Sequence, residues 1–167
     1  MANEVSPTID DYLQREIANA FAMYVAYKRY LWNVSGPQFP ELHLLFDEHA
    51  QQILETIDEF GERVRIRGGR PVAVLSAMRD TMTVLEPAHR EHSVRTMLDE
   101  AIANHRRIIA ELCDGVEVAL WNNDPGSADL FTRVVQVHEK QEWFLRETAD
   151  RDAGQGRGAN AASARRT

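Results

Sequence analysis

Four residues in the stretch LHLLFDEHAQQILETIDEFGER, 42–63, carry the chemistry of a metal site: one imidazole, His43, and three carboxylates, Asp47, Asp58 and Glu62. His43 with Asp47, and Asp58 with Glu62, are i, i+4 pairs, so each pair shares a helix face. On a helical wheel at about 100° per residue, all four fall on one flank of the apolar stripe, within roughly 100° of one another. They cannot share one ion, because at ~1.5 Å per residue Asp47 and Asp58 lie about 16 Å apart along the axis. Positions 43 and 62 nevertheless have the same midpoint as 47 and 58. An antiparallel two-fold copy of the helix would therefore set His43 and Asp47 against Asp58 and Glu62 of the partner subunit, giving two identical intersubunit sites. One imidazole with three carboxylates is a hard, mostly oxygen ligand set suited to Fe(II), with Mn(II) or Zn(II) as other occupants. The isologous dimer this requires is the commonest symmetric contact. Either pair alone is equally well a solvated helix face, but a solvated face has no reason to mirror its acids about one point.

The helix that must hold these residues is the second of four. After Ser6-Pro7-Thr8, the residues Ile9, Leu13, Ile17, Ala20, Tyr24, Tyr27 and Leu31 recur at helical spacing, and the helix should stop near Ser35-Gly36-Pro37. The second begins around Pro40, runs on Leu42, Phe46, Ala50, Ile53, Ile57, Phe60 and Val64, and ends at Gly68-Gly69. Residues 70–87 form a connection with a short helix at Leu75 to Thr81. A third helix is predicted from about Glu91 to Leu120, and a fourth from the capping segment NNDPGSADL to about Ala149. Four long helices with one extended middle connection predict an all-α bundle with ferritin-like rather than up-down-up-down connectivity. The expected organisation is an extension at 1–7, a bundle over 8–150, and a disordered tail over 151–167 that lacks any apolar period.

Composition narrows the function. The 167 residues, 44% hydrophobic, suffice for one domain with a real core. With 19 Lys plus Arg against 26 Asp plus Glu, the net charge of -7 sets the body against polyanions, so any nucleic-acid contact must come from a local patch. A lone Cys113 allows no intrachain disulfide, and the start has neither the basic nor the apolar region of a secretion signal. The longest apolar run near the N-terminus falls short of the roughly 18 residues of a membrane span. A reducing cytoplasm and no membrane partner are expected, with nucleoid association if DNA is bound.

The segment WNVSGPQFPELHLLFDEHAQQILETIDEFGER, 32–63, resembles the Dps family, the mini-ferritins, in its Trp-Asn pair, its Gly turn and the spacing of His, Asp, Asp and Glu. GSADLFTRVVQVHEKQEWFLRE, 126–147, is similar to that family's last helix, and the resemblance spans about residues 8–147. It implies a hollow homododecamer whose intersubunit sites bind Fe(II) and oxidise it with hydrogen peroxide or oxygen. Ferric mineral would be stored inside and DNA protected from oxidative damage. It further implies metal ligation and ferroxidase catalysis by His43, Asp47, Asp58 and Glu62. One departure stands out: the family usually has His immediately before Trp-Asn as a further ligand, and this chain has Leu31 there. Looser iron binding and slower oxidation are expected, and the alternative is a DNA-compacting shell with weak ferroxidase activity.

Further signals admit two readings each. Asp129 and Asp124 resemble acids lining an iron-entry pore, and helix capping accounts for both almost as well. Arg151, Arg157, Arg165 and Arg166 make the tail basic, and copies on a shell would give a multivalent DNA-binding fringe; solubilising disorder is the alternative. Glu86-Pro-Ala-His89 has Glu-x-x-His spacing, but only one copy exists, so an intramolecular di-iron site is not expected. His105, on the apolar face of the third helix, is expected to be a hydrogen-bonded core histidine. No nucleophile or organic substrate is indicated for a hydrolytic use of the carboxylates.

Overall fold

In a computed structural model, which describes residues 6–86 and 93–164, with side chains to Arg151, the chain forms five helices and no strand among the described residues. Helix α1, Ile9–Asn33, starts where a capping box forms: Thr8 Oγ1 accepts from the Asp11 amide (3.2 Å), and the Asp11 carboxylate accepts from the Thr8 amide (2.8 Å). Val34 turns extended, and Gly36 (φ 97°) reverses the chain into α2, Phe39–Ile66, with Pro40 in its first turn. A Schellman motif closes α2: Gly69 N–H donates to Val64 (2.9 Å) and Gly68 N–H to Arg65 (3.0 Å), with Gly68 at φ 90°, where a side chain would be strained.

The connection carries α3, Leu75–Thr81, matching the predicted short helix. It is tied down by side chains, not by strands: Gln14 accepts from the Val72 amide (2.7 Å), Asn19 from Thr83 (2.8 Å) and Asn104 from Leu85 (2.8 Å). Helix α4, Val94–Trp121, starts where Ser93 Oγ caps the Thr96 amide (3.1 Å); Glu91, near which the sequence predicts the start, lies outside the described residues. Asn123, at φ 54°, closes α4 as Gly68 closes α2.

Helix α5, Pro125–Ala164, is 40 residues long and passes through the stretch after 150 for which the sequence predicts no regular structure. A helix already nucleated and packed extends at little cost, and the Ala-rich stretch that follows has good propensity, against the penalty of Gly154, Gly156 and Gly158.

Helices α1 and α2 pack along each other, as do α4 and α5, so two hairpins are joined by the long connection. Arg63, late in α2, and Arg67, the residue that caps it, meet Asp124 just past α4, and Tyr30 late in α1 meets Glu100 early in α4 (3.1 Å). Helices α2 and α4 therefore run parallel, the ferritin-like arrangement that the connection's length predicts. Leu13, Ile17, Phe46, Ile53, Phe60, Leu98, Ile108 and Phe131 are fully buried between the hairpins. Each such side chain contributes on the order of 1.5–3 kcal/mol by leaving water. No helix among the described residues is long and apolar enough to cross a membrane.

Candidate metal centre

The apolar stripe of α2 faces the core, and its flank presents all four candidate ligands toward the protomer surface. His43 is partly buried, its ring 5.2 Å from that of Phe39. Its Nδ1 lies 3.2 Å from the Leu31 carbonyl oxygen. A carbonyl only accepts, so Nδ1 carries the proton and Nε2 keeps a free lone pair, the tautomer a metal ligand needs. Asp47, one turn on, is about half exposed and is held at 2.7 Å by the Lys28 ammonium of α1.

Asp58 and Glu62 are exposed, and with Gly61, Arg65, Ile66 and Pro71 they line a shallow depression of about 460 Å³. The two pairs thus occupy separate ends of one helix face, about 16 Å apart by helical rise. Within one protomer's described residues, no group of three or more His, Cys, Asp or Glu is placed to hold an ion. The donor set of the two halves taken together fits a hard divalent ion.

Leu31 is buried at 8% exposure, and its side chain belongs to the core. Tyr27 and His49 turn into the bundle and bond to each other at 3.2 Å, away from the α2 flank. His105 is a hydrogen-bonded core histidine. Glu86 is exposed and 3.5 Å from Arg79, while His89 lies outside the described residues.

Asp124 is nearly buried, with both Arg63 and Arg67 on its carboxylate. It also caps α5 by accepting from the Ser127 amide (3.0 Å). Burial would raise its carboxyl, but the Ser127 hydrogen bonds and the two guanidinium groups together hold it below the usual range. Asp129 is exposed and pairs at 3.2 Å with Arg133, which also reaches Glu59 (2.9 Å). Arg151 is exposed on α5, Arg157 lies in the part of α5 described as backbone, and Arg165 and Arg166 lie outside the described residues.

Lys28 is 19 residues from Asp47, so no helical spacing links the two in the sequence. Leu31 with His43, Lys28 with Asp47 and Tyr27 with His49 pair in antiparallel order across the turn at 34–38, so the signal for Lys28 lies in its place roughly opposite Asp47.

The sequence matches the family described as Ferritin-like domain over residues 10–153. It is 30% identical over 145 residues to a DNA protection during starvation protein of Brevibacillus brevis, covering 87% of this chain and 97% of that one. The chain belongs to the Dps family of ferritin-like proteins. Among solved structures, Dps from Thermosynechococcus elongatus superposes with a TM-score of 0.82 at 43% identity, covering 84% of this Dps chain and 88% of that one. DpsC from Streptomyces coelicolor does so at 0.82 and 32%, with 84% and 82% covered. An uncharacterised low temperature-induced protein of Nostoc sp. is 32% identical over 147 residues, 87% of this Dps chain and 82% of its own length.

Proposed function

We propose that this Dps protein oxidises ferrous iron with hydrogen peroxide or oxygen at sites shared between two copies, stores the ferric product inside a hollow dodecamer, and thereby protects DNA. The mirrored placement of His43–Asp47 and Asp58–Glu62 on one face of α2 carries this reading, because only a two-fold copy completes a ligand set from them. Family membership supports the iron chemistry and the shell, and relatives named for DNA protection support the outcome.

Iron is the substrate. His43 offers Nε2, oriented through Nδ1 by the Leu31 carbonyl, and Asp47 offers a carboxylate once Lys28 releases it. Carboxylates stabilise the more highly charged ferric ion more than the ferrous one, so the same ligands that bind Fe(II) favour its oxidation. Two ferrous ions supply the two electrons that reduce one peroxide to two waters, without release of a hydroxyl radical. Asp129, exposed and paired with the surface Arg133, is available to attract incoming cations, whereas the carboxylate of Asp124 is taken up by Arg63 and Arg67.

The test is anaerobic Fe(II) titration of the assembled, metal-free protein, followed by peroxide or oxygen, against Asp58→Ala plus Glu62→Ala. Oxidation lost only in the double variant supports the site; a wild type as inactive as that variant overturns it. A DNA-compacting role would rest on Arg151, exposed near the start of the basic segment, with Arg157, Arg165 and Arg166 beyond it. Salt-sensitive DNA shifts that vanish on deleting residues 151–167 support that role, and no shift at low salt removes it.

A further inference from the structure

The bundle interior holds a second group of reactive side chains, separate from the α2 flank. Tyr27, His49, His105 and His138 come from α1, α2, α4 and α5 in turn, and each is 2% exposed or less. Tyr27 Oη lies 2.5 Å from His105 Nε2 and 3.2 Å from His49 Nδ1, and His105 Nδ1 lies 2.8 Å from His138 Nδ1. Four polar side chains in a dry core are costly, and apolar residues of similar volume would pack there without that cost. The cluster is not a metal cage, since His105 uses one ring nitrogen on Tyr27 and the other on His138.

A neutral imidazole carries one N–H, which fixes the direction of the bonds. The shortest contact places the phenolic proton toward His105 Nε2. His105 then carries its own proton on Nδ1 and donates it to His138, while His49 Nδ1–H donates to the Tyr27 oxygen. All four groups are uncharged at neutral pH. Burial, with His138 and His49 nearby, holds His105 well below its usual range; burial pushes His138 to about 3 and His49 to about 4, and raises the Tyr27 hydroxyl well above 10. Tyr27 therefore cannot ionise first and be oxidised afterwards. Electron and proton must leave together, and an acceptor for the proton is already in contact.

We propose that Tyr27 is a redox-active tyrosine that gives one electron to a one-electron oxidant while its phenolic proton passes to His105. The O–H bond breaks, a bond to Nε2 of His105 forms, and a neutral phenoxyl radical remains. Even a weakly basic imidazole suffices, because an oxidised phenol is a far stronger acid than any imidazolium. His105 can in turn pass its Nδ1 proton to His138, which moves the positive charge away from the radical. The natural oxidant class is peroxide reacting with a single ferrous ion, a source that rests on the proposed iron chemistry. Iron gives one electron and Tyr27 the second, so peroxide is reduced fully to two hydroxides and no hydroxyl radical escapes.

The experiment has two arms on the full-length assembled protein. In the iron-free arm, a flash-oxidised ruthenium tris-bipyridine complex withdraws the electron and rapid-freeze electron paramagnetic resonance reads the radical. A tyrosyl signal is expected in wild type, reduced at least five-fold in Tyr27→Phe. In His105→Gln the yield should fall and its solvent deuterium isotope effect should change, which a merely structural role would not cause. A signal undiminished in Tyr27→Phe, or no tyrosyl signal in wild type, overturns the proposal; Tyr27→Phe removes only a hydroxyl, so the core stays packed. The second arm mixes substoichiometric Fe(II) with peroxide. There, iron oxidation without a Tyr27-dependent radical overturns the inference alone, whereas absent iron oxidation counts against the ferroxidase reading and leaves the photochemical arm to judge Tyr27.

Discussion

His43 Nδ1 is 3.2 Å from the backbone carbonyl of Leu31, so α1 orients the imidazole through its main chain. Orientation is retained whatever side chain stands at 31.

Leu31→His follows directly. Leu31 is buried, so a polar ring there must turn toward His43 or lose its hydrogen bonds, at a cost of about 1–3 kcal/mol. Fe(II) affinity should rise about ten-fold, for one added ligand worth roughly 1.4 kcal/mol, while thermal stability falls by several degrees. Anaerobic titration and differential scanning calorimetry read the two effects, and unchanged affinity would sink the idea that the site lacks a ligand.

Lys28→Met should strengthen metal binding. The ammonium sits 2.7 Å from Asp47 and competes with any cation for that carboxylate, and its charge opposes a divalent ion nearby. Calorimetric titration with Co(II) should show several-fold tighter binding, whereas weaker binding would mean that Lys28 positions Asp47 instead of competing for it.

Acid should destabilise the fold through the buried histidines. His49 and His138 fall to about 4 and about 3 from an unfolded value of 6.5, so the folded state binds fewer protons. Their contribution is complete above pH ~6.5 and is lost as pH falls toward 4 and then 3, with stability declining by a few kcal/mol in total. Tyr27 and Lys140 face this cluster and supply no anion to offset the change. In His49→Gln, the melting temperature between pH 6.5 and 4 should fall less steeply than in wild type; an identical slope would refute the assignment.

Glu16 acts in the opposite sense. It is fully buried, and burial, with Glu111 adding repulsion, raises its carboxyl well above the usual range against the weaker pull of Asn19 and Arg15. A raised carboxyl favours the fold at low pH and penalises it as pH climbs through the folded value. Glu16→Gln should therefore raise the melting temperature at pH 8 and change it little at pH 4, and urea unfolding at the two pH values decides.

The helices were legible because each writes its own periodicity and stop signals. The Schellman glycine at 68 and the box of Thr8 with Asp11 are local, and the short α3 fell where predicted. The α2 flank was equally readable, since all four residues share one helix. What could not be read was tertiary. Asp124 offers a capping oxygen in the sequence, but its pairing with Arg63 and Arg67 joins residues 61 and 57 apart. The Tyr27–His105 contact spans 78 residues and depends on how the two hairpins dock. Helix α5 ran past its predicted end because loss of apolar period marks where burial stops, not where a backbone already helical must unwind.

Because each protomer bears both incomplete halves at separate stations along α2, a solitary newly made chain cannot run the proposed reaction. In that reaction, oxidation would switch on when subunits meet and off when they are diluted apart. The chemistry then inherits the concentration dependence of assembly, and reactive iron is handled only where a growing shell is present to receive the product.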